Sequence, residues 1–186
     1  MDFDLIVLGS GPGGYVAAIR ASQLGLKIAI VERESLGGIC LNWGCIPTKA
    51  LLKSAQVFDY LNHASDFGIT VKDSNINFDS IISRSREVAG GMSKGVEFLM
   101  KKNKIEVIMG NGKLKSANTL EVTDAKGAKK DVSAKSIIVA TGTRSRELPH
   151  IKQDGKKIIG YREAMTLPKQ PKSMVVIGSG AIGSEF

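Results

Sequence analysis

Apolar and polar residues alternate in blocks at the start of the chain. Residues 5–8 form a continuous apolar run, and a glycine-rich turn follows. Residues 15–24 carry apolar side chains at helical spacing, and residues 27–32 form a second apolar run. Nearly continuous apolar runs are typical of parallel strands that are covered on both faces. The pattern therefore predicts a strand–helix–strand unit.

Two longer helices are predicted downstream. From Pro47 to about residue 63 the apolar side chains lie on one helical stripe, and proline suits a first helical turn. A short strand is expected at residues 68–71. Residues 78–102 have the period of a long helix, in which the pair Gly90-Gly91 weakens the helical propensity.

After residue 104 the apolar period changes to that of strands. Short runs at 105–109, 112–114 and 119–123, with a turn at Lys126-Gly127, predict a small antiparallel meander. The apolar run 136–140 predicts a buried strand, which leads into Thr141-Gly142-Thr143.

The end of the sequence repeats the opening pattern. An apolar run at 173–177 predicts a buried strand, and a second glycine turn follows it. We therefore expect an α/β chain with a Rossmann-like first domain at 1–145, a basic connector at 146–172, and the start of a second Rossmann-like domain at 173–186. Because a strand followed by one helical turn is a poor place for a terminus, we expect a fragment or truncated product.

Composition narrows the function classes. The chain is 42% hydrophobic and contains no apolar run long enough to span a membrane. Its formal charge of +8 is scattered and lacks interleaved aromatic residues, which make up 5% of the chain, so we expect no nucleic-acid or membrane partner. A strand directly after Met1, without a basic leader, predicts a cytoplasmic protein, or an organellar one whose presequence is absent.

Residues 9–14, Gly-Ser-Gly-Pro-Gly-Gly, match the pattern G-x-G-x-x-G between a predicted strand and helix. In that pattern the glycines permit a tight turn, close approach of a pyrophosphate and close packing of helix on strand, while the free amides of the helix start hold the phosphates. Glu32 ends the second strand, where a carboxylate accepts from a ribose hydroxyl. We predict a dinucleotide site here, with a purely structural turn as the alternative.

A second copy of the pattern is formed by Gly178, Gly180 and Gly183. A predicted strand precedes it, and only a few residues follow it. Two such turns predict two dinucleotides, one a tightly held flavin and the other a mobile nicotinamide.

The two cysteines, Cys40 and Cys45, are five positions apart just before the helix predicted at Pro47. A loop this short can fold back to form a disulfide, but closing so small a ring adds little stability. The helix start and the cation of Lys49 both favour a thiolate at Cys45. Reversible redox chemistry is therefore the favoured interpretation.

Other interpretations of this segment stay open. The cysteines could be two buried thiols, or ligands of a metal, although His63 and His150 stand at no ligand spacing from them and we predict no metal site. Trp43, between the cysteines, could stack on a flavin or pack against the following helix.

Three segments together resemble the pyridine nucleotide–disulfide oxidoreductases of the class with a C-x4-C pair. They are residues 9–14, residues 36–52 around the cysteines, and residues 138–143. The resemblance runs along the whole chain and implies an FAD/NAD-binding three-layer ββα fold with a small meander. The sequence of residues 40–52 is more similar to that of the family members that oxidise protein-bound dihydrolipoamide than to that of glutathione or mercuric reductases.

The resemblance implies a role for each matching residue. Cys40 would be the interchange thiol and Cys45 the thiol nearest the flavin, with Lys49 beside the flavin ring. The implied FAD site consists of Gly9, Gly11, Pro12, Gly13, Gly14, Glu32, Arg33, Gly38, Cys40, Cys45, Lys49, Gly112, Thr141, Gly142 and Thr143. The implied NAD side consists of Gly178, Gly180, Ala181, Ile182 and Gly183, with Glu185 pairing Lys49.

The resemblance also implies partners and missing parts. It implies NAD-linked oxidation of lipoyl domains of 2-oxo acid dehydrogenase or glycine cleavage complexes by a homodimer, in a bacterial cytoplasm or a mitochondrial matrix. The family's His–Glu acid/base pair finds no match in His63 or His150, so this chain alone is expected to be inactive. The alternatives are a non-catalytic flavin- or nucleotide-binding fragment and a related disulfide reductase.

Overall fold

A computed structural model describes all 186 residues of this α/β protein. The chain forms two compact units. The first unit comprises residues 1–42 and 90–144, and the second comprises residues 43–89 and 145–186. The sequence-based boundaries at 145 and 172 stay a prediction, and each unit is described here by itself.

The chain contains six strands and six α-helices. The strands are β1 (Phe3–Leu8), β2 (Ile28–Glu32), β3 (Glu106–Met109), β4 (Asn111–Ser116), β5 (Thr119–Thr123) and β6 (Lys129–Val139). The helices are α1 (Pro12–Gln23), α2 (Gly38–Trp43), α3 (Cys45–Asn62), α4 (Phe78–Lys102), α5 (Tyr161–Ala164) and α6 (Ala181–Glu185), with a 3₁₀ turn at Ala64–Phe67. None of the helices combines the length and the apolar composition that crossing a membrane requires.

The first unit is built on a six-stranded sheet in the order β3-β2-β1-β6-β5-β4. Strand β1 pairs in parallel with β2 and β6, and β2 pairs in parallel with β3, whereas β5 pairs antiparallel with both β4 and β6. The predicted strand–helix–strand unit and meander are confirmed. The apolar run 136–140 is the second half of one 11-residue strand, whose first half belongs to the meander.

Burial in the first unit follows the apolar pattern. Every residue of β2 is buried, and Ile6, Val7 and Ile30 are completely inaccessible to solvent. One core cluster joins β1 and β2 to the apolar side chains of the meander, including Leu120 and Val132. Small residues on α1, such as the fully buried Ala18, allow the helix to lie close to the sheet.

The second unit contains α3, the first half of α4, and the short helices α5 and α6. Arg84 of α4 donates from Nη1 to the carbonyl oxygen of Ala50 in α3 at 2.8 Å. The helix predicted from Pro47 begins two residues earlier, at Cys45. Of the four residues between the cysteines, the first three are the end of α2 rather than part of an open loop, and Gly44 separates α2 from α3.

Two predicted strands are wrong. Residues 68–71 form no strand, because Gly68 turns the chain in the left-handed region with φ 72° at the end of the 3₁₀ turn. Residues 173–177 belong to no strand or helix, and Val175 is 88% exposed. An apolar run becomes a strand only when a neighbouring strand pairs with it, and no segment of this chain does so.

Asp4 ties β1 to both of its neighbours in the sheet. Its Oδ2 accepts from the backbone N–H of Lys27 at 2.8 Å, and its Oδ1 lies 2.7 Å from Nζ of Lys135 in β6. The hydrogen bond from Lys135, with that from Lys27, lowers the pKa of the Asp4 carboxyl below its ordinary value of 3.8. Since the folded chain prefers the carboxylate, this contribution to stability is present above that value and is lost as the pH falls through the lowered pKa.

We expect Asp4→Asn to lower the urea midpoint of unfolding at neutral pH, because the ion pair is lost, and to have progressively less effect as the pH falls below 3.8. Urea titrations followed by circular dichroism at several pH values measure the difference. The matched control is Asp73→Asn, at an exposed position. A difference between Asp4→Asn and the parent chain that persists unchanged into acid would contradict the assignment.

Candidate functional site

The first glycine turn packs its backbone too tightly for any side chain at two positions. A Cβ built on Gly9 would lie 2.3 Å from the carbonyl oxygen of Ala140, and one on Gly14 would lie 1.9 Å from that of Gly9. Gly9 also has φ +100°, which L side chains rarely adopt. These glycines are therefore required for the packing of β1, β6 and α1.

The other two glycines of the turn face open space. A Cβ on Gly11 or Gly13 would meet no atom within 4 Å. Both stand at the start of the 12-residue helix α1, whose first turn contains Pro12. Open backbone at the N-terminus of such a helix fits a phosphate or pyrophosphate, because the helix dipole and the free amides favour an anion.

Glu32 is buried beside this turn and holds it in place. Its Oε2 accepts from the backbone N–H of Ser10 at 2.9 Å and from the Ser10 hydroxyl at 2.6 Å, and its Oε1 accepts from the N–H of Glu34 at 2.8 Å. The side chain is 8% exposed. A carboxylate accepts about four hydrogen bonds, so one position remains for a ribose hydroxyl. The sequence did not single out Ser10, although its place between two glycines was a signal.

The segment that leads to Cys40 lies against the same turn. Gly38 has φ +61°, and a Cβ there would lie 2.7 Å from Cα of Gly11. The carbonyl oxygen of Leu36 accepts from the Ser93 hydroxyl at 2.6 Å and from Nδ2 of Asn42 at 2.9 Å. Cys40 itself is half-buried in α2. The backbone before Cys40 is thus fixed to the glycine turn, and sequence analysis missed the parts played by Asn42 and Ser93.

The remaining predicted residues of the first unit divide by environment. Gly112 packs tightly, since a Cβ there would lie 2.5 Å from Cδ1 of Leu8. Arg33 and residues 141–143 are exposed, and Gly142 has φ +68° with open space around it. Because β1, β2 and β6 run parallel, residues 9–14, Glu32 and residues 141–143 follow strand ends on one edge of the sheet, the edge at which such sheets bind ligands.

In the second unit, Cys45 is the first residue of α3 and is exposed. Its sulfur is carried by the positive end of an 18-residue helix, which favours negative charge. One turn later, Nζ of Lys49 donates to Oε1 of Glu185. The structure therefore brings Lys49 and Glu185 together as an ion pair.

Trp43 lies under two arginine side chains of the second unit. The guanidinium carbon of Arg86 is 4.2 Å from the centroid of the indole ring, and that of Arg162 is 5.1 Å from it. The sequence left two interpretations of Trp43, stacking on a flavin and packing against the protein. These two contacts are of the second kind, and they are made with α4 and α5. Neither arginine was singled out from the sequence, because nothing in the spacing links residues 43, 86 and 162.

Both cysteines are thiols in this structure and are not joined in a disulfide. The chain contains no group of three or more histidine, cysteine, aspartate or glutamate side chains placed to hold a metal ion.

The second glycine turn reproduces the geometry of the first. Gly178 has φ +118°, and a Cβ on Gly183 would lie 2.3 Å from the carbonyl oxygen of Gly178. In the first turn, a Cβ on Gly14 overlaps the carbonyl oxygen of Gly9 in the same way. Gly180 faces open space, as Gly11 does. The exposed residues Ala181 and Ile182 begin the short helix α6.

The comparison with protein families agrees with this arrangement. The profile of the family described as pyridine nucleotide-disulphide oxidoreductase matches residues 3–186. The chain belongs to this family. The cofactors that the family implies are FAD and NAD.

Two similar proteins within the family share one name. The chain is 55% identical over 184 residues to a dihydrolipoyl dehydrogenase of Zymomonas mobilis, covering 99% of this chain and 40% of that protein. It is 53% identical to a dihydrolipoyl dehydrogenase of Rhizobium etli, covering 99% of this chain and 41% of that protein. The chain therefore spans about two fifths of the length of these relatives, and they match the family expected from the sequence.

A solved structure supports the fold class. The crystal structure of LpdA from Mycobacterium tuberculosis is similar with a TM-score of 0.79 at 25% identity, over 88% of this chain and 37% of that chain. The predicted Rossmann-like class with a small meander is confirmed.

We expect Gly38→Ala to destabilise the chain more than Gly25→Ala. Both positions have positive φ, so both substitutions strain the backbone, but a Cβ on Gly25 meets nothing within 4 Å whereas one on Gly38 meets Gly11. The added overlap is expected to cost roughly 1–3 kcal/mol beyond the shared strain. Urea denaturation of the two variants measures the difference, and equal midpoints would show that the contact between α2 and the turn is dispensable.

Proposed function

We propose that this chain supplies the FAD-binding turn and the redox-active cysteines of a dihydrolipoyl dehydrogenase. The observation that carries the proposal is the contact of Gly38 with Gly11, because it fixes the helix of Cys40 against an open phosphate-binding turn. A nucleotide cofactor held at Gly11 and Gly13 would therefore lie on the same framework as the cysteine.

The residues of the first unit fit a dinucleotide. Gly11 and Gly13 would accept the pyrophosphate, and the remaining acceptor position of Glu32 would take a ribose hydroxyl. Gly112 and the exposed residues 141–143 would border the same edge of the sheet. The open backbone at Gly180 would receive the phosphates of NAD in the same manner.

The cysteines would carry the electrons as a dithiol/disulfide pair. In the oxidised form, a dihydrolipoyl thiolate attacks the sulfur of Cys40, and Cys45 leaves as a thiolate. The second lipoyl thiol, as it loses its proton, attacks the mixed disulfide, so that the lipoyl group is released as a disulfide and both cysteines are reduced. The chemistry that FAD and NAD supply when bound is the onward transfer of that electron pair to a nicotinamide.

The side chains around Cys45 support its assignment to the flavin side. Cys45 is exposed at the positive end of α3, which stabilises a thiolate, while the ion pair with Glu185 fixes the cation of Lys49 one turn away. Cys40 is half-buried, so part of it remains open to solvent.

The biological setting follows from the same proposal. The partners would be lipoyl domains of 2-oxo acid dehydrogenase or glycine cleavage complexes, and the working form a homodimer in a bacterial cytoplasm. His63 is not assigned as the base that takes the lipoyl proton, since its Nδ1 lies 2.9 Å from the carbonyl oxygen of Asp59 in the preceding helix.

We expect Gly11→Ala to weaken FAD binding about tenfold or more without unfolding the chain, because the added methyl group occupies space that only the ligand would use. Titration of the refolded or apo chain with FAD, followed by flavin fluorescence, measures the affinity. Gly91→Ala, in open space on α4, is the matched control and should bind FAD as the parent chain does. Equal affinity of all three proteins, or no binding by the parent chain, would contradict the proposed flavin site.

We expect Cys45→Ser to carry more covalent lipoamide adduct on Cys40 than the parent chain does, because the thiolate of Cys40 opens the lipoamide disulfide, the second lipoyl sulfur leaves as a thiolate, and no second cysteine is present to displace the lipoyl group from Cys40. Intact-mass spectrometry after incubation with oxidised lipoamide measures the adduct. The reciprocal variant, Cys40→Ser, should carry much less of it. A larger adduct on Cys45 would reverse the proposed roles of the two thiols.

A further inference from the structure

The residues on both sides of Cys45 are anchored by side chains from elsewhere in the second unit. Trp43 precedes Cys45 by two residues and lies under the guanidinium groups of Arg86 and Arg162. Thr48 follows it by three residues, and its hydroxyl lies 3.9 Å from the sulfur of Met165. Arg162 and Met165 belong to one short segment around α5.

The segment around α5 is the part of the connector at 146–172 that is packed against the rest of the second unit. Residues 145–158 are exposed throughout, whereas Met165 is 1% exposed. Helix α5 is itself held by a local contact, in which Oε2 of Glu163 accepts from the N–H of Gly160 at 3.0 Å. The connector therefore contains an ordered element that places Arg162 and Met165 together.

Arg86 adds a contact from a different helix. Two residues before it, Arg84 donates to the carbonyl oxygen of Ala50, which ties α4 to α3. Burial lowers the pKa of the Arg86 guanidinium, although arginine stays charged at neutral pH. A cation that has lost part of its hydration binds an aromatic ring more strongly than an exposed cation does.

We propose that Arg86, Arg162 and Met165 form a clasp on the first turn of α3 that positions the Cys45 thiol for disulfide exchange. The proposal rests on the proposed redox function of the cysteines. An exposed sulfur on an anchored backbone can meet its partner repeatedly without reordering the chain, and this raises the effective concentration of one thiol for the other. Arg86, Arg162 and Met165 act as positioning residues, through Trp43 and Thr48.

The test measures the disulfide equilibrium of the purified 186-residue chain in glutathione redox buffers. Alkylation of the remaining thiols followed by mass spectrometry gives the ratio of reduced to oxidised glutathione at which half of the chains hold the Cys40–Cys45 disulfide. For Arg86→Gln and for Arg162→Gln we expect the glutathione ratio at half-oxidation to fall about threefold or more, so that the disulfide is less stable. This is the size of effect that loss of a partly buried cation–π contact allows.

A second readout follows the clasp directly. Trp43 is the only tryptophan of the chain, so its fluorescence reports on this site alone. Acrylamide should quench the emission of both glutamine variants more efficiently than that of the parent chain. Arg162→Lys keeps the charge but loses the planar stacking group, and it should recover only part of the parent's values.

Arg84→Gln is the matched control, because it removes an arginine from the same helix without touching Trp43. Its disulfide equilibrium and its tryptophan quenching should equal those of the parent chain. Circular dichroism identifies any variant that has unfolded. If Arg86→Gln does so, Arg162→Gln, on a short helix, decides the question alone.

The outcomes separate the clasp from the proposed function. If the parent chain forms no Cys40–Cys45 disulfide in any buffer, the redox function itself is refuted, and the clasp with it. If the parent forms the disulfide and Arg162→Gln behaves identically, the clasp is refuted while the redox function stands. A shift in Arg84→Gln as large as in Arg86→Gln also refutes the clasp, because general loosening of the helix pair would then explain both.

Discussion

The close contact of backbone on backbone at the ends of β1 and β6 is the constraint on which the first unit depends. Gly9, Gly14 and Gly38 each occupy a position where a Cβ would overlap a main-chain atom. Because these contacts bring α1, α2 and the sheet together, the open positions Gly11 and Gly13 are left facing the space that a dinucleotide needs. Within one motif, some glycines are thus required for packing and others leave the backbone open.

Close backbone contacts of this kind would also connect the proposed redox centre to the proposed nucleotide site. The hydrogen bonds to the carbonyl oxygen of Leu36 and the contact of Gly38 with Gly11 hold the helix of Cys40 to the turn. In the second unit, the start of α3 is held by contacts of Trp43 and Thr48. Each cysteine therefore lies on a backbone that is supported by residues distant in sequence.

Sequence patterns predicted most of the fold and the local motifs. The apolar runs of β1 and β2, the period of α4 and the glycine spacing are local signals, and each has a direct structural counterpart. Residues 173–177 misled the prediction, since an apolar run does not show whether a partner strand exists. The contacts of Ser93, Arg86 and Arg162 could not be foreseen, because they depend on which helices pack together rather than on spacing along the chain.

The proposed function requires that the cysteines and a bound flavin accept electrons together. A reductive titration of the FAD-loaded chain with dithionite, followed by flavin absorbance and by thiol counting, tests it most directly. We expect the parent chain to take up twice as many electrons as its flavin alone would hold, and Cys45→Ser to take up only the flavin's share. Equal uptake by both proteins would contradict it.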